Sequence, residues 1–283
     1  MEFRIQRILT FLVLALVASD AASSPKLYWK SVLPNTPMPK AVEDLLKPDS
    51  FMGPKPFSYQ YAATETRLQD IGRGVFIGYG AAETQLQDHR KGAIFFLEKD
   101  IHTGNVMNLH FTKSTNAATF LPRDEANSIP FSSSKLSEVF DDFSVKPGSL
   151  EAELMKNTVK QCEDAGIEGE EKFCATSLES MIDFSTSKLG KNVQAISTEV
   201  GKENQKEKST ITGVKKIGDG KKAVACHKQN YPYAVFYCHA TEGARVYTVQ
   251  LVGVDGAKTK AVAVCHTNTV SCINYATVSC MAL

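Results

Sequence analysis

The chain has little on which a familiar catalytic assignment can rest. It holds one tryptophan and six histidines among 283 residues, and its 32 Lys and Arg balance 31 Asp and Glu. A net charge of +1 gives no bulk field that would recruit nucleic acid or an anionic membrane. No apolar run approaches the ~20 residues that a membrane-spanning helix needs, so no membrane partner is expected once the N-terminal leader is removed. A Walker loop, Gly-x-Gly-x-x-Gly, His-Glu-x-x-His and any Ser/His/Asp spacing are all missing, which leaves nucleotide, zincin and hydrolase chemistry without support. The sequence also lacks an Asn-x-Ser/Thr sequon.

What is present begins at the N-terminus. Arg4 and Arg7 precede the apolar run Ile8 to Ala18, and small residues from Ser19 to Ser24 follow. That order reads as a secretory signal peptide over residues 1–22, and an extracellular or cell-wall location is expected. In that compartment cysteines oxidise. There are seven, so at least one is unpaired or pairs between chains.

Residues 23–92 read as a low-order leader. Three prolines in "LPNTPMP" impose an extended entry to a short helix bearing Val42, Leu45 and Leu46. "YAATETRLQD" (61–70) returns as "YGAAETQLQD" (79–88), two copies where a solenoid needs about three. From residue 93 a folded domain is expected. "IFFL" (94–97) reads as a short apolar strand, and a turn at His102 to Asn105 separates it from the segment Val106 to Phe111. Ser149 is positioned to cap a helix with Glu151 and Glu153 in its first turn and Met155, Val159 and Cys162 on its apolar face. Cys174, Leu178 and Met181 repeat that spacing on a second helix. The two cysteines are either buried thiols or, as we expect, a Cys162–Cys174 disulfide.

The Lys-rich run from Lys202 to Lys222 reads as a solvated loop. Beyond it the chain is β-rich. Asp255-Gly256 between two β-prone runs is a strong hairpin signal, and a two-residue turn there would set His266 opposite Arg245 and Cys265 opposite Val246.

Three Cys-His pairs stand out: Cys226-His227, Cys238-His239 and Cys265-His266, separated by ten and twenty-five residues and each read as ending a strand. Neighbours on a strand point to opposite faces, so a Cys and its adjacent His cannot readily share one metal ion. The histidines can gather on one face and the cysteines on the other. Three neutral imidazoles with an open position suit zinc or copper, and Cu(II) is favoured by nitrogen ligands.

This spacing resembles the plant BURP domain, whose pattern is four Cys-His pairs followed by a Trp. "FFLEKDIHTGNVMNLHF", "FCATSLESMIDFSTSKLG" and "LPNTPMP" are similar to the rest of that architecture, and the repeat resembles the dehydration-responsive subfamily most, with the unknown-seed-protein subfamily next. The resemblance implies an α+β fold in which a signal peptide and low-order leader precede a β-rich BURP domain, 93–283, with a disulfide-linked helix pair.

It also implies function. Most members are secreted proteins of stress response or development at the wall and seed, without a defined reaction. Some are copper-dependent peptide cyclases that cross-link a Tyr or Trp of their own leader. Carried over, His227, His239 and His266 would hold copper, and Tyr79 or Tyr61 would be modified. The closing "TNTVSCINYATVSCMAL" has neither the fourth pair nor the Trp and places Cys272 and Cys280 where no family cysteine is expected. A domain cut short, with an unpaired sheet edge, is therefore expected. The first expectation is a secreted stress-associated protein without a complete catalytic site. Copper-dependent cyclisation and association with wall polysaccharide are the alternatives, and partners for Cys226, Cys238, Cys265, Cys272 and Cys280 stay open.

Overall fold

The computed structural model describes residues 24–46, 95–109, 118–166, 170–201, 207–218, 222–266 and 279–282. The segment expected to be a signal peptide, the repeat with Tyr61 and Tyr79, and Cys272 lie outside the described residues. The architecture is α+β, with two antiparallel sheets and helices packed beside the smaller one.

The segment expected to be low-order is in fact folded where it is described. Ser24 caps helix α1 (Pro25–Val32), and α2 (Lys40–Glu43) follows the prolines. Together they bury Trp29, Leu33 and Leu45 against Phe120, Leu178 and Ile182. The prolines limit helix length without preventing docking, because the apolar residues between them still gain from burial.

Three helices come next: α3 (Arg123–Ser128), α4 (Leu136–Asp142) and α5 (Leu150–Glu163). They enclose Val139, Met155 and Val159 with Tyr231 and Tyr233. Helix α5 starts as its sequence indicates, with the Ser149 hydroxyl accepting from the Ala152 N–H at 3.2 Å. Ser149→Ala removes that acceptor and is expected to cost about 1 kcal/mol, read as a fall in melting temperature of about 2–4 °C; no change would mean that the cap is dispensable.

The smaller sheet has β3 (Glu171–Ala175), β7 (Phe236–Glu242) and β6 (Lys222–Lys228) in that order, and α6 (Leu178–Leu189) packs on it. Cys174 lies on β3 rather than on a helix. The reason is Ser177, whose hydroxyl caps the Ser180 N–H, so that helix begins only at Leu178. The Cys162–Cys174 disulfide therefore ties the last turn of α5 to the strand that feeds α6. Lys172 supports the same junction by donating to the carbonyls of Gln161, Cys162 and Asp164 at the end of α5, where a cation also meets the negative end of the helix dipole.

The larger sheet runs β1 (Phe95–Leu97), β10 (Ser279–Ala282), β9 (Lys258–His266), β8 (Ala244–Gly253), β5 (Glu207–Ile217), β2 (Val106–Leu109), with β4 (Glu199–Val200) also on β9. Two expectations change here, the solvated loop and the unpaired edge. The Lys-rich run is largely strand β5, because Ile211 alternates inward against Leu251 while the lysines stay exposed. The strands on either side of the His102 to Asn105 turn form as expected but pair elsewhere, β1 with β10 and β2 with β5. The edge of β9 beside Cys265 and His266 is paired by β10.

The β8–β9 register is also one residue from the expected one. Ala244 faces His266 and Arg245 faces Cys265. The loop has three residues, Val254, Asp255 and Gly256, closed by Gly253 N–H to the Ala257 carbonyl at 2.8 Å. Gly256 sits at φ 78°, which suits a three-residue hairpin loop with glycine in the left-handed region.

Candidate functional site

The β6–β7 ladder sets Cys226 directly opposite Cys238, and the two are disulfide-bonded. Alternation then turns their neighbours to the other face. On that face His227 lies opposite Tyr237 and His239 opposite Ala225, so the two histidines are diagonal neighbours. Their Nε2 atoms are 3.2 Å apart, and the side chains are almost fully buried, at 4% and 7% exposure. With both rings neutral, one Nε2–H donates to the other Nε2.

Two groups that the motif did not mark complete the surroundings, and a third lies across the sheet. Glu170 Oε2 is 3.4 Å from His239 Nδ1. The Tyr237 ring is 6.0 Å from the His239 ring, and its hydroxyl pKa is raised by burial and then by the Glu170 charge. Lys228, beside His227 but on the opposite face, is buried and its ammonium is pushed down to about 8 by desolvation. The acidic turn before Cys174 is a weak signal for Glu170. Nothing in the sequence fixes the β3–β7 register that brings it to His239.

The Cys-His pairs thus divide between the two sheets. Cys238-His239 lies mid-strand on β7, not at a strand end, because the ladder continues to Glu242. The third pair is on β9. Cys265 is fully buried and disulfide-bonded, and Cys280 of β10 stands opposite it in register. The His266 side chain lies outside the described residues. Its backbone faces Ala244, which belongs with Val262 and Val264 to a cluster packed on Ala223 of β6. Ala223 shares the face of His227 and His239, so the histidine face of the small sheet adjoins the face of the large sheet to which Ala244 belongs.

Two imidazole nitrogens 3.2 Å apart fit two ligands of one ion. A carboxylate on the far nitrogen, as Glu170 is on His239, is the usual orienting partner of a metal-bound imidazole. The pair therefore fits copper or zinc as part of a ligand set. Among the described residues no three His, Cys, Asp or Glu side chains form a ligand cluster.

Comparison with known proteins agrees with this framework. The BURP domain model matches residues 94–279. BURP domain protein RD22 of Arabidopsis thaliana is 51% identical over 224 residues, covering 77% of this chain and 52% of that protein. BURP domain-containing protein 3 of Oryza sativa subsp. japonica is 53% identical over 219 residues, covering 76% and 47%. BURP domain-containing protein 5 of the same rice is 42% identical over 262 residues, covering 89% and 78%. The chain spans about half the length of the first two relatives. A domain model that matches more than half of the chain and relatives of this identity establish that the chain belongs to the plant BURP-domain family, in its RD22-like subfamily.

Proposed function

We propose that this protein acts outside the cell, at the plant cell wall, as a stress-associated protein without a complete oxidative centre. The observation that carries the reading is the state of the histidine pair. His227 and His239 are buried and hydrogen-bonded to each other rather than presented to solvent. A peptide phenol awaiting oxidation needs access to an open metal position, and two nitrogens facing each other inside a packed layer do not supply it. The disulfides support extracellular residence, as does the N-terminal run of charge, apolar residues and small residues.

A second reading is copper-dependent cyclisation. In its favour are the Nε2 spacing, the Glu170 contact and the place of β9 beside the histidine face. Here His227, His239 and His266 would hold the ion, which when bound would supply one-electron oxidation of a phenol. Glu170 would orient His239, and the Cys226–Cys238 disulfide would fix the register that brings the two imidazoles together.

Expression of the secreted form with Cu(II), followed by metal analysis and peptide mass mapping, separates the two. We expect no stoichiometric copper and an unmodified leader, alike in wild type and His239→Ala. Copper near one per chain, lost in His239→Ala and accompanied by loss of two hydrogens at Tyr61 or Tyr79, would overturn the first reading.

A further inference from the structure

One face of the large sheet is only partly covered. Near the smaller sheet it is buried, with Ala244, Val262 and Val264 packed on Ala223. Farther along, the register forms rows of half-buried and exposed residues across β5, β8 and β9. Thr210, Val252 and Lys258 share one row, Gly213, Gln250 and Lys260 the next, and Lys215 and Thr248 a third. Lys208 precedes Thr210 by two residues and so lies on the same face.

The bulge between Ile211 and Gly213 decides which lysine comes next. Without the extra residue, alternation from Lys208 would leave Lys215 on the opposite face; with it, Lys215 joins Lys208. Gly213 keeps the floor low, since a Cβ there would meet Gln250 Oε1 at 3.2 Å.

The outcome is two lines of cations, Lys208 and Lys215 on β5 and Lys258 and Lys260 on β9, all exposed. They flank β8, which presents only Thr248, Gln250 and Val252 here. With strands about 4.8 Å apart, the two lines lie about 10 Å from each other. Lys260 is paired with Glu199 at 3.2 Å. Lys208, Lys215 and Lys258 make no ion pair among the described residues.

Resting on the wall reading above, we propose that this face binds a linear carboxylated polysaccharide lying along β8. The lysine lines meet carboxylates on both sides of the chain, Gln250 and Thr248 meet sugar hydroxyls, and Val252 meets the apolar faces of the rings. Charge complementarity selects an acidic chain over a neutral one. Among the described residues the rows that hold these lysines carry no aromatic residue, the platform that single-stranded nucleic acid uses for base stacking.

The test measures binding of the secreted protein to polygalacturonate across a NaCl series. Lys208→Glu with Lys258→Glu is compared with Lys146→Glu with Lys160→Glu, an equal charge change at exposed helical-side positions. Binding of the first double variant is expected to fall at least about tenfold, with its log–log salt slope smaller by about 2, one for each contact removed. The second should bind like wild type, and methyl-esterified polygalacturonate should bind far more weakly. Equal loss in both double variants would overturn the proposal, as would equal affinity for the ester. Tighter lysine-dependent binding to phosphatidylserine vesicles or to an oligonucleotide would also overturn it. Retention of the same proteins on isolated wall material judges the underlying reading separately. Walls that hold all three alike leave wall association standing and remove this face from it; walls that do not hold wild type remove the association itself.

Discussion

Trp29→Ala is expected to lower stability by about 3–5 kcal/mol, with melting falling on the order of 10 °C. Trp29 is 6% exposed and packs with Leu33, Leu45, Phe120, Leu178 and Ile182. Its indole N–H donates to the Thr36 carbonyl at 2.8 Å, and the Thr36 hydroxyl in turn donates to the Val193 carbonyl at 2.8 Å. Alanine removes the largest side chain of this cluster and leaves the Thr36 carbonyl without its indole donor. Leu27→Ala on the same helix is the control, because Leu27 is 58% exposed and should change stability by no more than about 0.5 kcal/mol. Thermal unfolding of both variants decides the matter: equal, small shifts would show that residues 24–46 rest on the domain without contributing to its core.

The contrast between Trp29 and Ser149 shows what could be read in advance. Ser149 and the apolar spacing of Met155 and Val159 are local signals, and α5 forms where they place it. Trp29 lies in a segment whose prolines and short apolar stretches resemble a linker, and its burial depends on a surface built by residues from Phe120 to Ile182. A partner more than ninety residues away leaves no periodic trace. The Cys-His pairs fall between these cases. Strand alternation separates histidines from cysteines on β6 and β7, and that much follows from adjacency in the sequence. Which cysteines bond depends on register. Cys226 meets Cys238 because β6 and β7 pair directly, whereas Cys265 belongs to another sheet. The β8–β9 register turned on a single residue of loop length at Gly256, below what the Asp-Gly signal specifies. The approach of Glu170 to His239 and the burial of Lys228 left no local trace for the same reason as Trp29, since both are tertiary.

Lys228 carries the second large effect, and its sign is opposite to that of an ordinary ion-paired lysine. At 5% exposure, burial pushes its pKa from 10.5 to about 8. Its ammonium donates to the Ala118 carbonyl at 3.3 Å, a contact that does not by itself replace a hydration shell. Below about pH 8 the lysine is charged in both folded and unfolded chains, and the folded state bears the full cost of burying the charge. Between about 8 and 10.5 the unfolded chain still holds the proton that the folded chain has released, so stability rises with pH. The shift corresponds to a gain of about 3 kcal/mol at most. Tyr231 and Tyr233 set the upper limit of that window. Burial raises both hydroxyl pKa values above 10.0, so above about pH 10 the folded chain keeps protons that the unfolded chain loses, and stability falls again. Denaturant titrations from pH 7 to 11 should therefore show a maximum near pH 10. Lys228→Met keeps a chain of similar length without the charge; it is expected to stabilise the protein by about 2–3 kcal/mol at pH 7 and to flatten the rise between pH 8 and 10. A rise that survives in Lys228→Met would assign the pH dependence to other groups, and a loss of stability at pH 7 would mean that the buried ammonium contributes more through its contacts than its desolvation costs.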